Sequence, residues 1–240
     1  MVTKNEVKYI QSLYHKKTRE AERAFVVEGP KMLAELLRSS YSLKHIYATA
    51  GWINQAPSGI AVTEVSAAEL QRMSHLETAN QVIAVVEQKI MEKPVSFHGK
   101  ITLALADIQD PGNFGTIVRI ADWFGISQIL ATADTVEFYN PKVIQATMGS
   151  FTRVGAWYGD LEEILQNAGL PVYGAFLEGT SVKQIGRVEE GIIVIGNESR
   201  GIGESIRNCI TTAVTIPRRG EAESLNAAVA TGIILSHLAL

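Results

Sequence analysis

The 240-residue chain is long enough for one large or two modest domains. With 46% hydrophobic and 20% charged residues, and no apolar run of membrane-spanning length or signal-peptide core at the N-terminus, it is not a disordered, fibrous, secreted or membrane-spanning sequence, so we expect a cytoplasmic protein. Cys209 is the single cysteine, which excludes an intramolecular disulfide, and five scattered histidines give no zinc-binding pattern.

The total charge hides an asymmetry between the two halves of the sequence. Net charge is −3, with 13 Lys and Arg against 10 Asp and Glu in residues 1–100, and 9 against 15 in residues 101–240. The negative total argues against a surface broadly coated in basic residues for nucleic acid. The basic excess lies mainly in His15–Arg23, which either contacts phosphate or forms a solvated helix end with local Glu–Arg pairs.

The first half predicts a compact α/β unit. Apolar residues on one helical face predict an opening helix, at Val7, Ile10, Leu13 and Tyr14. Pro30 lies in the first turn of a second predicted helix. The remaining predicted elements are strands at Phe25–Val27, His45–Ala50, Ala61–Val65 and Val82–Val86, and a helix at Ala67–Met73. Residues 88–100 lose all periodicity and indicate a linker, so we divide the chain near residue 95.

The second half alternates strands with helices, which predicts βαβ units and a mainly parallel sheet. The predicted strands are Ile101–Ala106, Gln128–Ala131, Arg153–Trp157, Pro171–Phe176, Gly191–Ile195 and Ala213–Ile216. The predicted helices are Phe114–Phe124, Pro141–Gly149, Leu161–Asn167, Gly203–Cys209 and Ser224–Leu238. The fold class is therefore α/β.

The first of three polar junctions follows the strand Ile101–Ala106. In Asp110-Pro-Gly-Asn113, proline fixes one φ angle, glycine permits a positive φ, and asparagine is suited to cap the next helix. On that helix Arg119 lies about 200° from the buried Ile117, so it faces away from the core. Arg119 and Asn113 thus have structural interpretations, as an ion pair with Asp122 and as a helix cap, beside functional ones.

The second junction places Glu198 between two glycines directly after a buried strand. Gly196 and Gly201 have the spacing of a phosphate loop, but Ile202 stands where that loop requires lysine, so a P-loop is excluded. A dinucleotide-binding fingerprint is also missing. Glu198 either caps the next helix, pairs with Arg200, or serves a functional site.

The third junction breaks at Pro217 and enters the last helix with Ser224 as the expected cap. Ser224 and Asn226 either serve only that helix end or belong to a site. Arg218 and Arg219 are either solvated charges or phosphate contacts. Because loops at the carboxyl ends of parallel strands lie on one edge of a sheet, we expect all three junctions to converge there.

The three junctions also resemble the motifs of a known family. Asp110-Pro-Gly-Asn-Phe-Gly-Thr-Ile-Val-Arg119, Gly196-Asn-Glu198 and Glu223-Ser-Leu-Asn226 occur in the order seen in the SpoU (TrmH-like) branch of the SPOUT methyltransferases. The resemblance covers residues 101–240 and implies an RNA methyltransferase that moves a methyl group from S-adenosylmethionine to a ribose 2′-hydroxyl of tRNA or rRNA. The catalytic and substrate-positioning set that it implies is Asn113, Arg119, Glu198, Ser224 and Asn226, and the cofactor-binding set is Gly196, Ile216 and Leu225.

The resemblance further implies an architecture and an assembly. The parallel sheet would carry a C-terminal trefoil knot, and the enzyme would act as a homodimer without a metal. Residues 1–95 would form a smaller α/β substrate-binding domain, similar to a ribosomal protein, and residues 96–240 the methyltransferase domain.

The role that the resemblance implies for Arg119 conflicts with the chemistry of arginine. The family account often makes this arginine the general base, but a guanidinium stays protonated in proteins, so anchoring a phosphate is the safer role. Two rival functions remain open: a non-catalytic RNA-binding module, and a small-molecule enzyme with a nucleotide cofactor. Intact Arg119, Glu198 and Asn226 argue against the first, and the missing phosphate-binding fingerprints argue against the second.

Overall fold

The computed structural model describes residues 2–240, which divide into two compact units. One unit contains the residues up to Ile90 together with Tyr139–Thr152, and the other contains Met91–Phe138 and Arg153–Leu240. The segment Tyr139–Thr152 therefore packs with the first unit, although the predicted boundary near residue 95 assigns it to the second domain. The physical reason is an aromatic cluster in which the Phe25 ring lies 4.5 Å from the ring of Tyr139.

The first unit contains a four-stranded mixed sheet with helices beside it. Its strands are β1 (Ala24–Glu28), β2 (Leu43–Ala48), β3 (Thr63–Glu64) and β4 (Val82–Glu87), in the order β1-β4-β2-β3. Its helices are α1 (Lys4–Ser12), α2 (Lys16–Glu22), α3 (Pro30–Leu37), α4 (Ala50–Ile53), α5 (Ala67–Met73) and α7 (Pro141–Thr147). β4 pairs antiparallel with both β1 and β2, while β2 and β3 are parallel.

Capping and apolar burial explain the helices that frame this sheet. Thr3 with Glu6 forms a capping box at α1, and Ser66 with Glu69 forms another at α5. The apolar faces of both helices close over the sheet in one core, whose members include Ile10, Leu13, Val26, Leu70, Met73 and Ile83. This burial supplies most of the stability that short helices lack in isolation.

The second unit is built on a six-stranded sheet in which every pair is parallel. Its strands are β5 (Ile101–Ala106), β6 (Gln128–Ala131), β7 (Gly155–Tyr158), β8 (Val172–Ser181), β9 (Gly191–Gly196) and β10 (Thr212–Thr215), in the order β10-β8-β9-β5-β6-β7. Its helices are α6 (Pro111–Trp123), α8 (Leu161–Asn167), α9 (Val182–Ile185), α10 (Glu204–Arg207) and α11 (Ala227–Leu238). The predicted α/β class with a parallel sheet is confirmed.

Two features of this sheet shape its carboxyl edge. β5 and β9 end in register, because Ala106 pairs with Gly196, so the loops after them start side by side. In the pairing of β8 with β10, Ala213 pairs with Gly174 but the next residue pairs with Thr180, so residues 175–179 of β8 leave the ladder as a bulge. The bulge interrupts the pairing of β8 at the edge where ligands bind in such sheets.

The largest differences from the predicted elements are short or polar helices. α2, α4 and α9 were not predicted, because Lys16–Glu22 has no apolar stripe and the other two have four residues each. Residues 88–100 contain no helix or strand, as expected for a linker. Within residues 2–240 no helix has the length and apolar character needed to cross a bilayer.

Candidate active site

The first loop starts with a strained residue and ends in a proline-initiated helix. Asp110 is the N-cap of α6, because its carboxylate accepts a hydrogen bond of 2.7 Å from the backbone N–H of Asn113. Pro111 occupies the first helical turn, where its missing N–H costs nothing. The expectation that Asn113 caps the helix is therefore wrong. Its side chain lies inside the first turn and is directed to another loop.

Asn113 joins all three loops. Its side-chain Nδ2 donates a hydrogen bond to Oε1 of Glu198, and its Oδ1 accepts one of 2.7 Å from Nδ2 of Asn226. Both Asn113 and Glu198 are half-buried, which makes a hydrogen bond to a carboxylate stronger than it would be in open water. The alternatives in which Glu198 caps the next helix or pairs with Arg200 are wrong, since the N-cap of α10 is Gly203 and no ion pair joins Glu198 to Arg200 in residues 2–240.

A tight turn holds Glu198 in the second loop. Oδ1 of Asn197 accepts hydrogen bonds from the backbone N–H groups of Ser199 and Arg200, at 3.0 and 3.1 Å. Asn197 and Gly201 exchange two backbone hydrogen bonds across the turn. Gly196 must lack a side chain, because an added Cβ would lie 2.5 Å from the carbonyl carbon of Gly201.

Asp107 ties the first loop to the second and was not predicted from sequence. Its φ of 60° is in the left-handed region, which costs a non-glycine residue about 1–3 kcal/mol and is tolerated best by Asn and Asp. Thr132 stabilises this conformation by donating to the Asp107 carboxylate at 2.7 Å and accepting from its N–H at 2.9 Å. The Asp107 carbonyl then accepts a hydrogen bond of 2.9 Å from Nδ2 of Asn197. A left-handed aspartate is visible only in backbone geometry, so no sequence signal reveals it.

The third loop is exposed throughout residues 217–226, and a hydrogen bond within the loop closes it. The Arg218 guanidinium donates a hydrogen bond of 2.9 Å to the carbonyl of Ala222. α11 begins with Asn226 as its N-cap, since Oδ1 of Asn226 accepts from the N–H groups of Ala228 and Val229. The prediction that Ser224 caps this helix is therefore wrong, and Ser224 stands exposed in the loop.

Arg119 points to solvent from α6, as its helical position predicted. The expected pairing with Asp122 is wrong, because Asp122 accepts a bidentate interaction from Arg153 with distances of 2.8–3.0 Å. Among residues 2–240 no hydrogen bond or ion pair engages the Arg119 guanidinium. Arg119 therefore makes no hydrogen bond to the Asn113 cluster, and its exposed charge faces solvent.

The bulge in β8 lies beside the strand ends that carry the predicted cofactor residues. In sheet order it lies between the ends of β9 and β10, where Gly196 and Ile216 stand. Leu177 in the bulge is 72% exposed and Leu225 in the third loop is 45% exposed, which is unusual for large apolar side chains. Exposed apolar side chains and free backbone amides are groups that suit the rings and uncharged edges of S-adenosylmethionine, which has no phosphate. The three predicted cofactor residues, Gly196, Ile216 and Leu225, therefore fit that group.

No metal-binding arrangement is present in the described part of the chain, where no group of three or more His, Cys, Asp or Glu side chains is placed to hold an ion.

Comparison with known proteins gives matches along nearly the whole chain. A profile described as the SpoU rRNA Methylase family matches residues 100–236, more than half of the chain, and one described as the MRM3-like substrate binding domain matches residues 4–84. The sequence is 30% identical to the Bacillus subtilis (strain 168) protein named 23S rRNA (guanosine(2553)-2′-O)-methyltransferase RlmP, over 97% of this chain and 95% of that relative.

Two solved structures share the fold over both units. A Porphyromonas gingivalis protein assigned to the TrmH family of RNA methyltransferases has a TM-score of 0.88 and 37% identity, covering 98% of this chain and 97% of that one. An AdoMet-bound rRNA methyltransferase from Sinorhizobium meliloti has a TM-score of 0.86 and 28% identity, covering 98% and 94%.

Proposed function

The chain belongs to the SpoU rRNA methylase family, and we propose that it transfers the methyl group of S-adenosylmethionine to a ribose 2′-hydroxyl of RNA, either rRNA or tRNA. The observation that carries the proposal is the junction of Asn113, Glu198 and Asn226, which unites three motifs at one edge of a parallel sheet. The relative from B. subtilis is named for 2′-O-methylation of 23S rRNA, and the S. meliloti relative was solved with AdoMet.

Positioning dominates the proposed mechanism. When bound, S-adenosylmethionine would supply a methyl group that its positively charged sulfur activates, so the protein's own residues need only to orient the ribose 2′-hydroxyl toward it. Asn113 and Asn226 fix the three loops relative to one another, and Glu198 is the carboxylate that this network holds in place. The exposed Ser224 hydroxyl contacts the bound nucleotide. Such orientation of reactants is worth several orders of magnitude in rate.

Arg119 serves as a phosphate anchor in this proposal. A guanidinium is a hydrogen-bond donor with no acceptor site, so this exposed side chain is suited to hold an anion and not to take the proton of the 2′-hydroxyl. A planar, doubly donating cation is well suited to hold a phosphate beside the target ribose. Gly196, Ile216 and Leu225 hold the cofactor next to the bulge of β8.

We also propose the family's trefoil knot for the C-terminal segment. Two observations support it: β10 lies at the edge of the sheet, and α11, which follows it, returns to pack on α6 and β9 in the interior. The chain therefore crosses back over strands that precede it in sequence.

We propose a homodimer, because α6 and α11 carry apolar side chains on their exposed surface. Trp123 of α6 is 85% exposed and Val229 of α11 is 50% exposed. α6 and α11 pack on each other, with Ile120 lying 3.6 Å from the position of a Cβ on Gly232. Exposed apolar residues on two packed helices are typical of a surface that a second copy covers.

We propose residues 1–95, which supply most of the first unit, as the RNA substrate-binding domain, and residues 96–240 as the methyltransferase domain. The match to a substrate-binding profile supports this division of labour. We propose that the protein acts on this RNA in the cytoplasm. Calorimetry with S-adenosylmethionine, NAD and ATP tests the cofactor: binding of the first alone is expected, and a dimeric protein that fails to bind it contradicts the proposal.

A further inference from the structure

An exposed aromatic pair stands on the first unit, outside the candidate active site. The ring of His75 stacks on that of Tyr14, with centroids 4.3 Å apart and planes at 19°. Tyr14 is half-buried, whereas His75 is exposed in the loop between α5 and β4. Tyr14 covers one face of the imidazole and His75 as a whole is exposed, so we assign that exposure to the opposite face of the ring, the open face.

The buried carboxylate of Glu28 binds both residues of this pair. Glu28 is only 6% exposed, and its Oε1 accepts hydrogen bonds from the Tyr14 hydroxyl at 2.6 Å and from the backbone N–H of His75 at 3.2 Å. Its Oε2 accepts one from the hydroxyl of Ser74. Burial, together with the Glu28 charge, raises the pKa of the Tyr14 phenol, so that it remains the donor. A buried carboxylate is costly unless several donors satisfy it, and here those donors hold the Tyr14 phenol and the backbone at His75 in place.

A second buried charge fixes the chain on the other side of Tyr14. The Arg19 side chain is 2% exposed and donates a hydrogen bond of 3.0 Å to the carbonyl of Leu13. This bond sets the turn between α1 and α2, from which Tyr14 projects. The same turn presents the exposed Lys16 and Lys17 two and three residues after Tyr14.

We propose that the open face of His75 is a stacking platform for an unpaired base of the substrate RNA, with Lys16 and Lys17 contacting the adjoining phosphates. The inference rests on the proposed function, and it specifies the substrate as a nucleotide in a loop or bulge, because only unstacked bases reach an aromatic side chain. A rigid ring that is already stacked on one side loses little entropy when a base adds to the other.

The local charges agree with a nucleic-acid ligand. Lys16 pairs with Glu20 at 3.7 Å, but both side chains are about 60% exposed, and such pairs contribute little and yield readily to a phosphate. Lys17 is exposed and adds a second positive charge on the same turn of helix. Glu77 is the one acidic side chain of the loop from Ser74 to Gln81.

The test compares His75→Ala and His75→Phe in the full-length protein, with total ribosomal RNA from a strain lacking the protein as the probe. His75→Ala is expected to weaken RNA binding by about 5- to 150-fold, with a matching rise in KM for RNA, while kcat and the affinity for S-adenosylmethionine stay unchanged. His75→Phe keeps a stacking face and is expected to retain wild-type affinity. His45→Ala is the matched control, since His45 is also exposed and contacts a tyrosine ring of the same unit.

Salt dependence separates stacking from charge. The double variant Lys16→Gln with Lys17→Gln is expected to reduce the slope of log affinity against log salt by roughly 1–2, whereas His75→Ala leaves that slope unchanged. Equal RNA affinity for His75→Ala and wild type, or an equal loss for His75→Phe, overturns the platform. If wild-type protein binds RNA but transfers no methyl group, the catalytic proposal fails and the comparison of these affinities still decides the platform. Absence of any RNA binding by wild-type protein overturns it.

Discussion

The side-chain amide of Asn226 donates a hydrogen bond of 2.7 Å to Oδ1 of Asn113, which lies 113 positions earlier in the sequence. The same Asn113 donates to Glu198, so one small amide joins the first, second and third loops. The bond between the two amides is worth only about 1 kcal/mol and the bond to the Glu198 carboxylate about 1.5–3 kcal/mol, but together they fix the relative position of three motifs. The position of the loops, more than the strength of any bond, is what catalysis by orientation requires.

Asn113→Asp tests this junction with almost no change in size. The substitution replaces the donor to Glu198 with a second carboxylate, so the two loops repel one another. We expect methyl transfer to fall by about 10²-fold or more, since displacements of about 1 Å have that effect. Asn208→Asp, on an exposed residue after α10, is the control and should keep wild-type activity. Radiolabelled methyl transfer measures both, and an Asn113→Asp enzyme as active as the control would contradict the proposed junction.

Gly196→Ala tests the cofactor side of the second loop. The added Cβ would lie within 2.7 Å of three backbone atoms of Gly201 and Ile202, so the loop must move. We expect S-adenosylmethionine affinity to fall at least about tenfold, the effect of losing about one hydrogen bond. Gly203→Ala is the matched control, because nothing lies within 4 Å of its Cβ position. Calorimetry that finds the two variants equal would remove Gly196 from the pocket.

Arg119→Lys distinguishes the two roles considered for this residue. Arg119 is exposed, so its substitution should change the free energy of unfolding by less than about 0.5 kcal/mol. Lysine keeps the charge but loses the paired donors of the guanidinium, so we expect a higher KM for RNA and an unchanged pH profile. Arg187→Lys, an exposed arginine beside Glu189, is the control. Full activity with an unchanged pH profile would exclude both the anchor and the base.

Val229→Asp tests the proposed homodimer. Val229 is half exposed on the face of α11 that a second copy is proposed to cover, and burying an unpaired carboxylate there is strongly unfavourable. We expect light scattering after gel filtration to give twice the chain mass for the wild type and the single-chain mass for Val229→Asp. Ser236→Asp, on the exposed side of the last turn of α11, helps to map the extent of the interface. A monomeric wild type would rule the dimer out.

Acid should weaken the first unit through the capping box of α5. Hydrogen bonds from the backbone N–H and hydroxyl of Ser66, and from the N–H of Val2, lower the pKa of Glu69 from 4.5 to about 2. The ionised Glu69 carboxylate therefore makes its full contribution to the free energy of unfolding above about pH 4.5, and this contribution is lost as the pH falls toward 2. Urea unfolding at pH 7, 4 and 3 should show a shallower loss for Glu69→Gln than for wild type. Glu77→Gln is the control and should lose stability as the wild type does. If Glu69→Gln also loses as much stability as the wild type between pH 7 and pH 3, this assignment is contradicted.

The sequence predicted the parallel sheet well, because buried parallel strands are continuous apolar runs. β5 and β6 begin and end at the predicted residues. α2 was missed because Lys16–Glu22 is polar on nearly every side, and its helix depends on the buried Arg19. The bulge in β8 was not predicted from the sequence, because it arises from the pairing of β8 with β10 and leaves no periodic pattern of apolar residues.

The sequence identified the residues of the candidate site, but it did not predict the hydrogen bonds between them. Sequence position alone suggested that Asn113, Glu198 and Asn226 would share one edge, and the structure brings them into hydrogen bonds. The caps were assigned to the wrong residues: Asp110 caps α6 in place of Asn113, and Asn226 caps α11 in place of Ser224. Both errors have one cause, because several residues near each helix start are competent caps and only backbone geometry selects among them.

The most direct test of the account is methyl transfer from radiolabelled S-adenosylmethionine to total RNA from a strain lacking this protein, followed by nucleoside analysis of the product. The account predicts label in a 2′-O-methylated nucleoside of ribosomal or transfer RNA, and its loss with Asn113→Asp. Label on a base, or none in any RNA with a dimeric protein that binds the cofactor, would contradict it.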